Sequence, residues 1–498
     1  MPRPKTQRAC HLTFRTVQIT SVLLLALLLV PHNAQAGIFD DAVSGNLEEE
    51  SSDEEETTDN GSAGYLGSVG GFGFELNGYI RADVYAGKIP DKEDGEIKNA
   101  YGEAALKLLV RKAPYGDAYT ELRFRYGYDG VEQDMNLDLR EAYINLYLWR
   151  FDFRLGQQII VWGRADGINP TNNLTPSSMR LRSPNEDDSR LSNFGLRMFF
   201  NASPVRIEGV WLPRYRATEL PALPFPDFIS LREDFPDAAL SNGLGAGRFH
   251  LEFPEVELSL SYLYGYAPAP GMRLAEVGLE GQEMQLTLER KAYRQHVAGF
   301  DFSAPVSDWC GLRGEAAYRH PIEEDDHIPQ PDLQWILGVD RDFGNVNVIV
   351  QYVGRYVFDR PIIISDGIPD QAPDILSQLP DPLPDAVRSK VLQQIRNEAT
   401  PGVALQNQIL QSQTEDWQHS AFTRIEWKLL QETLSLEISG MCNFSTWEWM
   451  ARPKISYDIT DALEFTIGGE IYGGPDETLF GMIDEIQSAG YLEIKVSY

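Results

Sequence analysis

From Phe72 to the end of the chain, apolar and polar residues alternate with a period of two. In FGFELNGYIRADVYA (72–86), Phe72, Phe74, Leu76, Ile80, Ala82 and Val84 share one face, and Glu75, Asn77, Arg81 and Asp83 share the other. AYGEAALKLLV sets Ala104, Leu106, Leu108 and Val110 against Glu103 and Lys107, and AYTELRFRYGY sets Leu122, Phe124 and Tyr126 against Glu121, Arg123 and Arg125. The closing GYLEIKVSY behaves the same way. Side chains on a strand alternate faces, so each stretch predicts a strand with one apolar and one polar side. At helical spacing the same residues form no coherent stripe.

About eighteen such segments follow one another: 72–86, 98–112, 117–128, 137–149, 151–163, 191–201, 203–213, 244–253, 255–266, 290–303, 308–320, 331–342, 345–357, 416–430, 433–444, 447–457, 462–473 and 488–498. Sixteen is the alternative count. Most are long enough for a tilted strand to cross a bilayer, which takes about 9–11 residues. Every second connection is short (KAPYG, Arg150, NA, Pro254, then APVS, FG, QE and DITD), whereas the alternate ones are mostly long: 164–190, 214–243, 267–289, 358–415 and 474–487. The link at 445–446 breaks the rule. Short turns at one end and long loops at the other predict an all-β transmembrane antiparallel barrel, with short periplasmic turns and long extracellular loops. A soluble β-sandwich also alternates but lacks this two-ended asymmetry. Trp149, Trp162, Trp211, Tyr264, Tyr266, Trp447, Trp449 and Tyr472 stand at segment ends and suit interface girdles.

The start of the chain agrees with export. Arg3, Lys5, Arg8 and Arg15 precede the apolar SVLLLALLLV, and Ala34-Gln35-Ala36 is a small-x-small site, so 1–36 reads as a signal peptide. The apolar run is too short for a spanning helix, which needs about 20 residues. The net charge is −31; ten acidic and no basic residues in 37–60 make 37–71 read as an acidic disordered leader ahead of a barrel at 72–498. The acidic body argues against a nucleic-acid partner. Only Cys310 and Cys442 follow the leader, so no disulfide scaffold is expected. No zinc spacing, phosphate-binding glycine loop or nucleophile elbow is present, and no cofactor is expected. RHPIEEDDHIPQPD (319–332) gathers His320, Glu323, Glu324, Asp325, Asp326 and His327, but at no closed ligand spacing, so no metal site is assigned.

LREAYINLYLWRFDFRLGQQIIVWGRADGINPTNNLTP (139–176) and RPKISYDITDALEFTIGGEIYGGPDETLFG with the closing strand resemble a largely uncharacterised family of proteobacterial outer-membrane barrels, similar to alginate-export-type porins. The resemblance covers about 72–498. It implies an outer-membrane, porin-like channel and supplies no substrate. The terminal Tyr498 resembles the C-terminal signal read by the barrel-assembly machinery.

In such a barrel the polar face lines the lumen. The expected pore-lining residues are Arg81, Arg123, Arg125, Arg154, Arg313, Arg319, Arg355 and Arg424, with Glu103 and Glu121; Lys107, Arg206, Glu75, Asp83, Glu141, Glu315, Glu426, Glu464 and Glu470 join the inward set. Inward arginines and acids either pair to stiffen the wall or form a weakly anion-attracting constriction. The expected partners are outer-membrane lipid and small hydrophilic solutes, anions among them. The 358–415 loop carries PDAVRSKVLQQIRNE, a short helix that either folds into the mouth or stays outside, and the GRADGINPTNNLTP loop is expected to be able to dip inward. The alternative functions are a barrel enzyme, or an assembly or adhesion barrel without conductance. His250, His296, His320, His327 and His419 are the histidines after the leader, and none sits in a catalytic motif, so no enzyme is expected. A monomer is the expected state.

Overall fold

The structure, a computed structural model, describes residues 64–69, 71–88, 95–128, 132–221, 226–280, 283–306, 310–365, 368 and 384–498. The signal peptide and the acidic run at 37–60 lie outside the described residues. In chain order the strands are Gly64–Val69 (β1), Phe72–Lys88 (β2), Gly95–Lys112 (β3), Gly116–Tyr128 (β4), Gln133–Leu148 (β5), Phe151–Gln158 (β6), Asn193–Ala202 (β7), Val205–Leu212 (β8), Ile229–Asp234 (β9), Leu244–Phe253 (β10) and Val256–Tyr266 (β11). They continue as Gly271–Glu280 (β12), Glu283–Lys291 (β13), Arg294–Val306 (β14), Cys310–Pro321 (β15), Asp332–Phe343 (β16), Val346–Val357 (β17), Trp417–Leu429 (β18), Leu434–Asn443 (β19), Glu448–Thr460 (β20), Leu463–Gly473 (β21) and Ala489–Ser497 (β22).

Leaving out β1, β9, β12 and β13, each strand pairs antiparallel with the next, and β22 pairs back onto β2. The result is a closed barrel of eighteen strands; sixteen is excluded. Closure leaves no unpaired edge among them. At the seam Tyr498 exchanges backbone hydrogen bonds with Gly78, and its ring lies over that residue. A Cβ at Gly78 would run into the Tyr498 ring and the Ala105 carbonyl, so glycine is what lets the chain end fold flat against β2. Below the seam β22 has run out. There β1 pairs with β2 instead, from Gly64 against Leu76 to Val69 against Phe72. The expected leader, drawn to residue 71, therefore ends earlier: 64–69 is strand.

The alternation falls as expected. Ile80 is 59% exposed and the neighbouring Arg81 only 4%. Leu122, Phe124, Leu155, Leu260 and Ile467 are likewise exposed, with buried or half-buried residues beside them on the other face. A soluble protein would hide such side chains; an apolar exterior on a closed barrel is stable only against lipid. Trp149, Trp211, Tyr264, Trp447 and Trp449 are exposed as girdle residues should be. Trp162 and Tyr472 are corrections: both are buried and point inward.

The long loops carry structure that alternation did not reveal. The 214–243 and 267–289 loops hold β9, β12 and β13, which form a separate three-stranded sheet. Residues 290 and 291 therefore close β13, and the barrel strand begins at Arg294. In the 358–415 loop the helix is Asp385–Leu410 (α1), longer than PDAVRSKVLQQIRNE and running through Pro401. Its Val391, Ile395 and Ala399 pack on Leu279, Met284 and Leu286 of the small sheet, and Val403 packs on Met272 and Leu288. Asn407 bridges the backbone of Met272 and Asp326. Helix and sheet thus make a small apolar core of their own, a cap at the long-loop end. A shorter helix, Leu479–Gln487 (α2), lies in the last long loop and starts at Thr478, whose hydroxyl accepts from the Gly481 N–H.

Candidate functional site: a lumen crossed by an in-folded segment

Strand β6 stops at Gln158, not at the expected 163, and residues 159–192 turn into the barrel. Apolar residues pull the segment in. Ile160, Trp162 and Leu174 pack against Val210, Leu212, Leu244, Leu263, Val297 and Ala317, inward residues of β8, β10, β11, β14 and β15. Burying one tryptophan is worth roughly 5 kcal/mol of gross transfer free energy as an upper bound. The Trp162 indole N–H also donates to Glu208 (3.0 Å).

Two clamps of opposite sign hold the segment across the lumen. On the β2–β5 wall, Asp188 takes hydrogen bonds from Arg81 (2.7 Å), Arg123 (2.7 Å) and Ser183 (2.6 Å). Arg140 donates to the carbonyls of Asp187, Asp188 and Arg190, fixing the 3-10 turn Glu186–Ser189 that carries the aspartate. Burial alone would raise the Asp188 carboxyl, but Arg81 and Arg123 outweigh it and hold the group well below the usual carboxylate range. On the opposite wall, Arg164 of the segment reaches Asp301 (2.9 Å) and Glu257. Glu315 accepts from the backbone N–H groups of Arg164 and Ala165 and from the Thr171 hydroxyl (3.0 Å). Asp166 takes the Gln351 amide (3.2 Å) and faces Arg313 (3.4 Å). At the tip Gly167 lies against the Phe422 ring of β18, where any Cβ would collide. GRADGINPTNNLTP therefore does dip inward, and it reaches the far wall.

Arg182 of the same segment donates to the carbonyls of Ile486 (2.8 Å) and Gln487 (3.0 Å), joined by Lys98 to Ser488 (2.8 Å). The carbonyl end of α2, which has no partner within the helix, is thereby met by two cations.

The expected pore-lining residues all face inward, and most are paired. Arg81 contacts Glu103 (2.7 Å) and Asp188; Arg123 contacts Glu121 (2.6 Å) and Asp188; Arg125 contacts Glu103 (2.5 Å). Arg154 donates to Asn145 (2.9 Å) over the face of Tyr143. Arg319 grips Asp332 with two donors (2.8 and 2.6 Å), and Arg355 takes the same carboxylate (2.5 Å) while donating to the carbonyls of Gln411 and Ser412 after α1. These groups border a small cleft of about 70 Å³ between wall and cap, lined also by Tyr293 and Gln413. Arg313 meets Asp340 (3.2 Å), and Arg424 meets Glu437 (2.8 Å). Not all are equally enclosed. Arg313, Arg424, Lys107, Glu426, Lys454, Glu464 and Lys495 are half-buried, and they lie toward the short-turn end. The wall behind the segment, in contrast, is buried.

Asp188, Arg164 and Arg140 were missed. Arg140 had a signal: Arg140 and Glu141 are consecutive charges that break the alternation, and the ladder slips there so that both turn inward. Asp188 and Arg164 sit in a loop, where no period marks direction. Glu208, His250 and Ser259 also come together, with Ser259 Oγ 3.2 Å from His250 Nδ1 and His250 Nε2 3.5 Å from Glu208. All three are at most 3% exposed, so no substrate reaches the hydroxyl; the trio anchors Trp162.

In the metal-type stretch, His320 faces outward, while His327 is buried 3.2 Å from Asp325. Among the described residues no three histidines, cysteines or carboxylates gather as metal ligands.

No family model matches the chain, and no curated protein matches it in sequence. Solved barrels do. OccK2 (OpdF) of Pseudomonas aeruginosa, in complex with glucuronate, aligns at 10% identity and TM-score 0.48 over 85% of this chain and 97% of its own. A BenF-like porin from Pseudomonas fluorescens Pf-5 aligns at 9% and 0.48 over 87% and 99%, and OccAB1 of Acinetobacter baumannii at 10% and 0.46 over 87% and 98%. The likeness is one of outline. The eighteen-strand closure rests on this chain's own pairing.

Proposed function

We propose that this protein is an outer-membrane channel, not an enzyme, that passes small hydrophilic solutes, anions among them, through a lumen narrowed by residues 159–192. One observation carries the reading: half-buried charges of both signs line the short-turn half of a closed barrel whose outside is apolar. A wall of that kind supports water and solute only if the inside is wet. The cap of α1 and the small sheet stands at the other mouth and makes the channel selective by access. Kinship with alginate-export-type porins belongs to the same proposal and rests on the 139–176 and 452–481 stretches alone, as assembly through the strand ending at Tyr498 rests on that terminus.

The test is single-channel recording of the refolded chain in a planar bilayer, intact and with 366–410 deleted. Steady conductance of the intact protein, or conductance that appears on deletion, supports the channel. Silence in both moves the reading to a barrel that acts through its loops.

A further inference from the structure

Three histidines stand on the outside of the barrel at one level. His296, His320 and His419 lie on β14, β15 and β18, each on the apolar, outward face. From the short-turn ends of their strands, Val306, Cys310 and Leu429, each is ten residues away. At about 3.3 Å per residue and a tilt of roughly 40°, ten residues rise about 25 Å, the height of a barrel's hydrocarbon band. The three rings therefore stand where the band ends on the long-loop side.

Each ring meets a tyrosine hydroxyl through Nδ1: Tyr262 at 2.6 Å from His296, Tyr318 at 3.5 Å from His320 and Tyr352 at 2.7 Å from His419. That leaves Nε2 as the one remaining polar atom of each ring. His296 and His320 are direct cross-strand partners. The gap to His419 is filled by rings, with Tyr318 against Phe358 (5.8 Å), Tyr356 against Phe358 (4.8 Å) and Tyr356 against Trp417 (4.5 Å). The surface is one arc. On the far side of the barrel the outward residues near the same rim include Val84, Ile97, Met135 and Phe194, with no histidine.

We infer that this arc binds phosphate groups of lipid headgroups in the leaflet next to the long loops. Aromatic side chains suit that depth whatever the lipid; with Nδ1 taking the tyrosine hydroxyl, Nε2 carries the hydrogen of each ring and donates outward, to a phosphate oxygen when one is present. The other charges nearby leave that role to the rings. Arg294 is turned to the backbone of Ser241 and to Asn242, and Arg360 is bound to Asp416. Exposed Glu323, Glu324, Asp325 and Asp326 follow His320 on the water side. The arginines are thus engaged and the acids repel phosphate, so the outward imidazoles are the donors left to it. Retention should therefore favour a phosphorylated headgroup over the same lipid without its phosphates. The inference rests on the membrane placement proposed above, not on conduction.

The experiment is native mass spectrometry of the full chain released from micelles doped with a phosphorylated outer-leaflet glycolipid or its dephosphorylated form. The expected result is several-fold more phosphorylated than dephosphorylated lipid retained, and loss of that preference in His296→Phe/His320→Phe/His419→Phe. Equal retention of the two lipids by the unmodified chain overturns the inference without any variant having to fold. Spectra dominated by multiples of the chain, broken up by the triple substitution, overturn it in favour of a contact between copies. None of these readings depends on conductance, so their failure leaves the channel proposal standing.

Discussion

Asp188 shares one carboxylate between two buried guanidiniums, and its loss is uneven in consequence. Asp188→Asn keeps the shape and removes the charge, leaving Arg81 and Arg123 short of a counter-ion; breaking a buried pair of this kind costs about 3–5 kcal/mol. The expected outcome is a looser 159–192 segment and a larger single-channel conductance, and an unchanged conductance would mean that the apolar contacts of Trp162 hold the segment alone. The pH response follows from the direction of the shift. A depressed carboxylate contributes stability that is present above its ordinary value of about 4 and lost only as pH falls through the lower folded value. Conductance governed by this clamp should therefore stay level from pH 7 to about pH 4. At this scale the sequence was half legible. Alternation placed Arg81, Arg123 and Glu103 inside because a strand residue has only two directions. It said nothing of Asp188 or Arg164, whose directions come from partners about a hundred residues away in sequence.

Helix α1 is held by its apolar face on the small sheet, by Asn407 and by Arg355 just beyond its end. Ile395 is buried between the helix and the small sheet, and a charge there has no partner. Ile395→Asp should undock the helix at a cost of about 3–5 kcal/mol, seen as protease cleavage within 385–410 while the barrel keeps its heat-modifiable migration. Cleavage no faster than in the unmodified chain would show that the Asn407 and Arg355 contacts suffice. The helix was visible as apolar residues at helical spacing, but its length was not, since Pro401 reads as a stop. The sheet that receives it was invisible, because β9, β12 and β13 lie in two separate loops and pair with each other and not with the wall. The eighteen wall strands were legible for the opposite reason: each has one apolar and one polar face, and a one-residue slip would exchange the two.

Across the whole barrel, acids and bases nearly cancel along the lumen, so weak ion selectivity is expected. Removing two cations tips the balance. Arg123→Ala with Arg125→Ala leaves Glu121, Glu103 and Asp188 less compensated, and the reversal potential in a salt gradient should move toward cation preference. A change of about 1 kcal/mol in the potential met by a passing ion, the scale of one charge screened by water, alters the permeability ratio by a few-fold and not by orders of magnitude. A shift toward anions would contradict the assignment of these residues to the lumen. Fold class was readable from loop asymmetry and alternation together. The sealing of the lumen was not, because Val210, Leu212 and Leu263 look like any apolar strand residue until the chain that covers them is in place.

The segment that crosses the lumen also orders events in time. Arg164 needs Asp301 and Glu315, and Asp188 needs Arg81 beside Glu493 of the last strand. Neither clamp can set before the sheet has curled far enough to bring the two walls to opposite sides of one cavity. Trp162, seated on Glu208, then becomes a clock placed inside the vessel. Its fluorescence should change late in refolding, after the strands have formed and the ends have met, and the delay between those two signals measures how long the barrel stands hollow.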